Sequence, residues 1–265
     1  MMKKVRAKKS LGQHFLKDEK IARRIVESLS HDGFGNVLEI GPGMGVLTEF
    51  LFQHREYKTK LIEIDRESIG YLEKKYPLHA GHIIEGDFLQ CHPEQLFDGP
   101  FAIIGNFPYN ISSQILFKVL EIRTLVPEVI GMFQKEVGVR IASGPGNKEY
   151  GILSVLMQAF YDVELLLLLD ETDFTPPPKV KSAVLRFKRK PEQELGCEEK
   201  LFFKVVKAAF NQRRKILSNA LSHFINPKIR NNVPYLDKRA EALSWGQFVE
   251  LTNSLSVKAV EGEKV

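Results

Sequence analysis

The chain has 265 residues, enough for one large domain or a medium domain with a small companion, and enough to bury its own core. Hydrophobic residues make up 43% and charged residues 27%, which argues against disordered, collagen-like and coiled-coil classes. The longest apolar run, Leu165 to Leu169, is strand-sized and well short of the ~18 residues that cross a bilayer. Two cysteines, Cys91 and Cys197, are too few for a disulfide framework and point to a reducing compartment, while a formal net charge of +5 makes the placement of the bases matter more than their sum.

Residues 1 to 17 carry Lys3, Lys4, Arg6, Lys8, Lys9 and Lys17, with no acid before Asp18. No apolar stretch follows, so no signal or transit peptide is expected, and the reading is a cytoplasmic protein with no membrane partner. An amphipathic segment spans Asp18 to Leu29. From Asn36 short apolar runs alternate with stretches of helical spacing. The runs are Val37 to Ile40, Leu61 to Ile64, His82 to Glu85, Phe101 to Ile104 and Val129 to Phe133; helices are expected over Val46 to His54, Glu67 to Lys75 and Ser113 to Ile122. Such alternation predicts an α/β fold with a parallel sheet covered on both faces. Val163 to Leu169 and Ala183 to Phe187, separated by the turn-rich Thr175 to Pro178, are expected as an antiparallel pair at one sheet edge.

After Lys190 the strands stop. Leu201, Phe202, Val205, Val206, Ala209 and Phe210 give Glu198 to Lys215 helical spacing, and shorter helices are expected over Ile216 to Phe224, Lys238 to Leu243 and Gly246 to Leu255. The turn residues Pro191 to Gly196 divide the chain into 1–190, with the sheet, and 191–265, small and helical. Two more basic clusters, Lys179 to Lys190 and Arg213 to Lys215, contain no acid. Together with the N-terminal run they suit contacts to a phosphate backbone; any one alone is equally a solvated face.

The chemistry concentrates at strand ends. The first strand runs into Glu39-Ile40-Gly41-Pro42-Gly43-Met44-Gly45, where Gly41 and Gly43 allow a tight turn and leave room for a ligand at the switch point of the sheet. The glycine spacing is not that of a dinucleotide fingerprint, which disfavours a nicotinamide oxidoreductase. Glu63 ends the second strand, where an acid accepts hydrogen bonds from a ribose diol. Asp87, followed by Phe88, comes after the third strand; it suits an amino group on a base, the plainer alternative being a helix cap. The fourth strand ends in Asn106-Phe107-Pro108-Tyr109. The carboxamide oxygen of Asn106 and the main-chain carbonyl of Pro108 are each suited to accept one N–H of an aromatic amine, aiming its lone pair outward, and Tyr109 offers a stacking face.

Seven blocks in order carry a resemblance: SLGQHFL (10–16), EIGPGMG (39–45), GNFPYNISS (105–113), FQKEV (133–137), YGILSV (150–155), FTPPPKVKS (174–182) and FNQRRK (210–215). From Lys8 to Leu255 the chain resembles the ribosomal RNA small-subunit adenine N6,N6-dimethyltransferase family. The resemblance implies a Rossmann-like S-adenosylmethionine methyltransferase sheet with a small C-terminal helical domain. It implies methyl transfer to N6 of two adjacent adenosines near the 3′ end of 16S rRNA, a 30S particle as partner, and a monomeric enzyme. Gln13, His14 and Leu16 would lie at the methionine end of the cofactor, Gly41 near it, Glu63 on its ribose and Asp87 on its adenine. Asn106 would touch both cofactor and target nitrogen, and Phe174 would stack on the flipped adenine opposite Tyr109. His14 and Phe107 depart from the family's commoner Asn and Leu, and Phe107 is expected to narrow the pocket. A dimethyltransferase of large-subunit rRNA shares the Asn-x-Pro-Tyr logic, and a non-catalytic RNA-binding factor could share the fold; Ile111 to Ser113, the 210–215 block and the intact Asn106, Pro108 and Tyr109 favour the small-subunit enzyme. No metal is expected, since His79, His82, Cys91 and His92 lack a ligand spacing.

Overall fold

The computed structural model describes residues 5–192 and 194–256, so Lys3 and Lys4 of the N-terminal basic run, and Gln193 of the expected linker, lie outside the described residues. In chain order the elements are β1 (Phe15–Leu16), α1 (Glu19–Val26), β2 (Asn36–Ile40), α2 (Thr48–Leu51), β3 (Lys58–Glu63), α3 (Arg66–Lys75), β4 (Ile83–Glu85), β5 (Phe101–Asn106), α4 (Ser112–Glu121) and β6 (Glu128–Gln134). They continue as α5 (Lys135–Ala142), α6 (Ile152–Phe160), β7 (Tyr161–Leu169), β8 (Phe174–Thr175), β9 (Ser182–Arg189), α7 (Glu199–Asn211), α8 (Leu217–Ala220) and α9 (Trp245–Ser256).

Seven strands form one sheet in the order β4-β3-β2-β5-β6-β9-β7. The pairs from β4 to β6 are parallel, and β9 runs antiparallel to β6. The central strands β5 and β6 are buried over almost their whole length, which is why they read as continuous apolar runs rather than alternating ones. The chain order reverses between β2 and β5, so a crevice opens outside their carboxyl ends. β1 and β8 make a separate two-stranded ribbon, with Phe15 opposite Thr175 and Leu16 opposite Phe174. This ribbon is not legible from the sequence, because two-residue strands carry no periodicity.

Several expected helices are shorter than their spacing suggests. Val46 to His54 yields the single turn α2, because Gly45, at φ +76°, and its neighbours hold the entry in tight turns. Ile216 to Phe224 contains only α8, and Lys238 to Leu243 only the 3-10 turn Ala240–Ala242. α5 and α6 stand where the sequence reading expects no helix. α1 starts where Asp18 caps it, its carboxylate accepting from the backbone N–H of Lys20 at 2.7 Å and of Ile21 at 3.2 Å.

By Cα packing the chain falls into two units: Met1–Gly138 with Asp162–Arg189, and Val139–Tyr161 with Lys190–Val265. The first unit ends at Arg189, and 139–161, expected with the sheet, clusters with the C-terminal residues. The reason is α6: its buried Val155, Leu156, Ala159 and Phe160 make it as apolar as a core helix, and it packs on α7 and α9. No described helix is long and apolar enough to cross a membrane.

Candidate active site

The carboxyl ends of β2, β3, β4 and β5 and the segment Ser10 to Phe15 enclose a cleft of about 990 Å³, counted to its open mouth. Its floor begins at Gly41, which leaves β2 at φ +65°; a Cβ there would meet nothing within 4 Å, so the backbone borders open cleft. Gly43, also at positive φ, could carry no side chain, since a Cβ would meet the Phe15 ring at 2.7 Å.

Glu63 is 3% exposed, and its carboxylate is held by three backbone donors: Gly43 N–H to Oε2 at 3.0 Å, Ile64 N–H and Asp65 N–H to Oε1, both at 2.9 Å. Burial pushes its carboxyl above the ordinary glutamate range, against the pull of those donors. A carboxylate fixed in this way at the cleft wall keeps one acceptor site, on Oε2, for a ligand hydroxyl. Asp87 serves as a turn cap and a cleft residue at once. Its Oδ1 accepts from Leu89 N–H at 2.9 Å, tightening the turn after β4, and the residue lines the cleft with Phe88 beside it.

At the end of β5, Asn106 Nδ2 donates to the carbonyl of His14 at 2.6 Å. With the amide nitrogen engaged, Oδ1 is the end left to accept a substrate N–H. The Pro108 carbonyl accepts from Ile111 N–H at 3.1 Å, closing the turn into α4, and keeps its second lone pair. The Tyr109 hydroxyl hydrogen-bonds Ser182 Oγ, and its ring stacks on His14, centroids 5.6 Å apart at 26°. Burial raises the Tyr109 phenol, opposed by the Ser182 bond. His14 Nδ1 lies 2.7 Å from the Pro176 carbonyl.

Gln13, His14, Gly41, Gly43, Glu63, Asp87, Phe88, Asn106, Pro108 and Tyr109 thus share one cleft. Leu16 and Phe174 do not line it. They face each other in the β1–β8 ribbon, 4% and 1% exposed, within the core cluster that includes Ala22, Ile25 and Val184. The expected stacking of Phe174 on a base is therefore not available in this arrangement, because its ring is engaged in packing. Phe107 borders the cleft between Asn106 and Pro108 but offers it no exposed ring. Its ring is fully buried, edge-on to Phe133 at 5.4 Å and 84°, in space left by Gly105 and Gly131, which face each other across β5 and β6. A Cβ on Gly131 would come within 2.4 Å of that ring.

Sequence reasoning missed Ile64, Asp65 and Lys8. Ile64 lines the cleft and is 51% exposed, an apolar residue directly after the strand-end acid, a position that could have flagged it. Lys8 reaches the buried Asp65 carboxylate, a contact between residues far apart in the chain that no local pattern announces.

The basic run 179–190 is largely committed within the protein. Lys181 pairs with Asp170 at 2.5 Å, Arg186 with Glu164, and Lys188 with Asp32 at 2.8 Å, while Arg189 donates to the Arg123 carbonyl at 2.7 Å. In the C-terminal unit Lys190 donates to the Gln158 carbonyl at 2.7 Å and Arg213 pairs with Glu241 at 3.1 Å, whereas Arg214 and Lys215 are exposed. The histidines set aside as metal ligands are engaged otherwise: His79 stacks on Phe52 at 4.0 Å, His82 Nδ1 lies 2.8 Å from the Thr59 carbonyl, and His92 contacts Glu94 at 3.0 Å.

The family model described as ribosomal RNA adenine dimethylase matches residues 4–256. A "Ribosomal RNA small subunit methyltransferase A" of Cytophaga hutchinsonii is 57% identical over 97% of this chain and 100% of its own length. One of the same name from Flavobacterium johnsoniae is 53% identical over 98% of this chain and 100% of its own. Among solved structures, a dimethyladenosine transferase from Plasmodium falciparum superposes with a TM-score of 0.79 at 24% identity, covering 93% of this chain and 98% of that one. The 23S rRNA methyltransferase ErmE gives 0.70 at 24% identity, covering 91% and 99%; these two show that the fold is shared.

Proposed function

The chain belongs to the ribosomal RNA adenine dimethylase family, and on that premise we propose that its cleft transfers methyl groups from S-adenosylmethionine to N6 of two adjacent adenosines near the 3′ end of 16S rRNA. The proposed substrate is the 30S particle, and the enzyme acts as a cytoplasmic monomer. The names of relatives at 50% identity and above favour the small-subunit over the large-subunit substrate. The observation that carries the reading is Asn106, whose carboxamide is pinned at its nitrogen by His14 with its oxygen left as an acceptor beside Tyr109.

The residues fit the cofactor: a glycine bordering open space, a buried carboxylate for a ribose diol, an exposed isoleucine for the flat face of a base and an aspartate for its amino group. S-adenosylmethionine, when bound, supplies an electrophilic sulfonium methyl. Glu63 holds the ribose, Asp87 the adenine amino group, and Ile64 packs on the ring. Asn106 Oδ1 and the Pro108 carbonyl accept the two N–H bonds of the target amine, drawing its nitrogen from planar toward tetrahedral and turning its lone pair to the methyl. Tyr109, held by Ser182, stacks on the target base. The acceleration comes from positioning and fixed dipoles, and no strong base is needed because the methylated nitrogen sheds its proton readily. In the second round one N–H remains, and Asn106 Oδ1 suffices for it, since Pro108 already accepts from Ile111.

The test is incubation with labelled S-adenosylmethionine and 30S particles that lack the modification, followed by mapping. Two labels per modified nitrogen on adjacent adenosines near the 3′ end are expected; label elsewhere, or label on naked large-subunit rRNA offered in parallel and none on the particles, overturns the substrate.

A further inference from the structure

Gln13 stands in the cleft wall, yet both ends of its carboxamide are occupied from within the protein. Its Oε1 accepts from the backbone N–H of Lys8 at 2.8 Å, and its Nε2 donates to Asp65 Oδ2 at 3.3 Å. The Lys8 ammonium closes the ring by bonding Asp65 Oδ1. Asp65 is 2% exposed and fully subscribed: besides Lys8 and Gln13 it accepts from the Glu67 N–H and the Ser68 hydroxyl, both at 3.1 Å, which caps α3. Its own N–H donates to Glu63 Oε1 at 2.9 Å. Asp65 therefore ties three things together: through its carboxylate the start of α3 and the segment Lys8 to Gln13, and through its backbone N–H the acid proposed to hold the ribose. The far end of the same segment is tied to Asn106 through the His14 carbonyl. The segment lies as a strap along the cleft, fastened at one end beside Glu63 and at the other beside the target nitrogen.

We propose that Asp65 is the latch of this strap, and that Gln13 and Lys8 act on cofactor binding through Asp65 rather than by touching the cofactor. The inference rests on the reading that the cleft binds S-adenosylmethionine. An opened latch lets the strap swing from the cleft mouth, so the ligand enters no more slowly and leaves faster. A merely damaged pocket also loses ligand faster, but without the coupling among the three residues.

Asp65→Asn suits the test, because asparagine remains a good helix cap while its amide replaces one acceptor by a donor and removes the charge that Lys8 pairs with. The full-length protein, Gln13→Ala, Lys8→Met, Asp65→Asn and the double variants are compared by calorimetry and by chase of labelled S-adenosylmethionine. Each single change is expected to raise the dissociation rate roughly 5–20-fold without slowing association, the scale of a lost hydrogen bond to a charged group with an exposed lysine discounted. Gln13→Ala added to Asp65→Asn is expected to cost less than about twofold more, because the residues share one interaction. Should Asp65→Asn not fold, Gln13→Ala with Lys8→Met carries the same cycle. Single effects that multiply, or slower association, overturn the latch while leaving the cofactor site standing; a parent protein that binds no S-adenosylmethionine overturns both.

Discussion

At the carboxyl ends of β3, β4 and β5 the polar side chains are tethered with acceptor capacity to spare: Glu63 by three backbone donors, Asp87 by Leu89, Asn106 by His14. On β9, Lys188 and Arg186 have acid partners within the same unit. Both regions are rich in groups able to bind a ligand, but the first is preorganised with spare capacity, whereas much of the charge in the second is neutralised internally. A sequence motif that names polar residues does not distinguish these cases; their hydrogen-bond partners do.

The comparison is tested hardest at Asn106. Asn106→Ala removes both the strap contact and the open acceptor, and single-turnover methylation of 30S particles is expected to fall ~10²-fold or more with the fold retained. Near-parental turnover would show that the open acceptor is idle. Glu63→Ala is next: calorimetry is expected to show S-adenosylmethionine affinity weaker by roughly 1.5–3 kcal/mol, the range for a hydrogen bond to a charged group. Unchanged affinity would take Glu63 out of the cofactor site.

Glu39 sharpens the contrast from the other side. It lies near the end of β2, the strand paired with β3, and is as deeply buried as Glu63, but its donor is the Thr48 hydroxyl at 2.7 Å, and burial pushes its carboxyl up to about 8. An acid whose folded value lies above its unfolded 4.5 binds a proton in the native state that the unfolded chain has released. The Glu39 contribution to stability is therefore expected to fall as pH rises from about 4.5 to about 8 and to level off above, and Glu39→Gln is expected to make the slope in thermal unfolding shallower by that contribution. A variant whose unfolding midpoint tracks the parent across this window would place the titration elsewhere.

The smallest effect concerns the bases. Arg214→Glu, at an exposed position, is expected to flatten the salt dependence of particle binding by about 0.7–0.9 for each phosphate that the arginine neutralises in the parent. Arg213→Glu sets a like charge against Glu241 and is expected to lower the unfolding midpoint in addition. Equal thermal behaviour of the two would mean that the Arg213 pair contributes nothing, as many surface pairs do.

The central strands were legible because a parallel strand buried on both faces must be apolar along its length; β5 and β6 announced themselves in this way, β2 to β4 by shorter apolar runs, and the ends of β2, β3, β4 and β5 placed Gly41, Glu63, Asp87 and Asn106 together by topology. α2 and α8 were overestimated because helical spacing reports an apolar stripe and not the turns that interrupt it. Phe174 and Leu16 belonged to quoted motifs, but motif membership is silent on whether a side chain faces ligand or core, and the β1–β8 pairing that buries them joins residues some 160 positions apart. The direction of Phe107 was hidden for the same reason, since it depends on Gly131 one strand away. Local sequence determined which segments were strands, where they ended and which chemistry stood at those ends, because burial and backbone geometry act over a few residues. Tertiary structure alone decided which of those polar groups kept a free lone pair, which bases were already paired, and that Lys8 and Gln13 meet on Asp65, because partners are set by proximity in space and not by order along the chain.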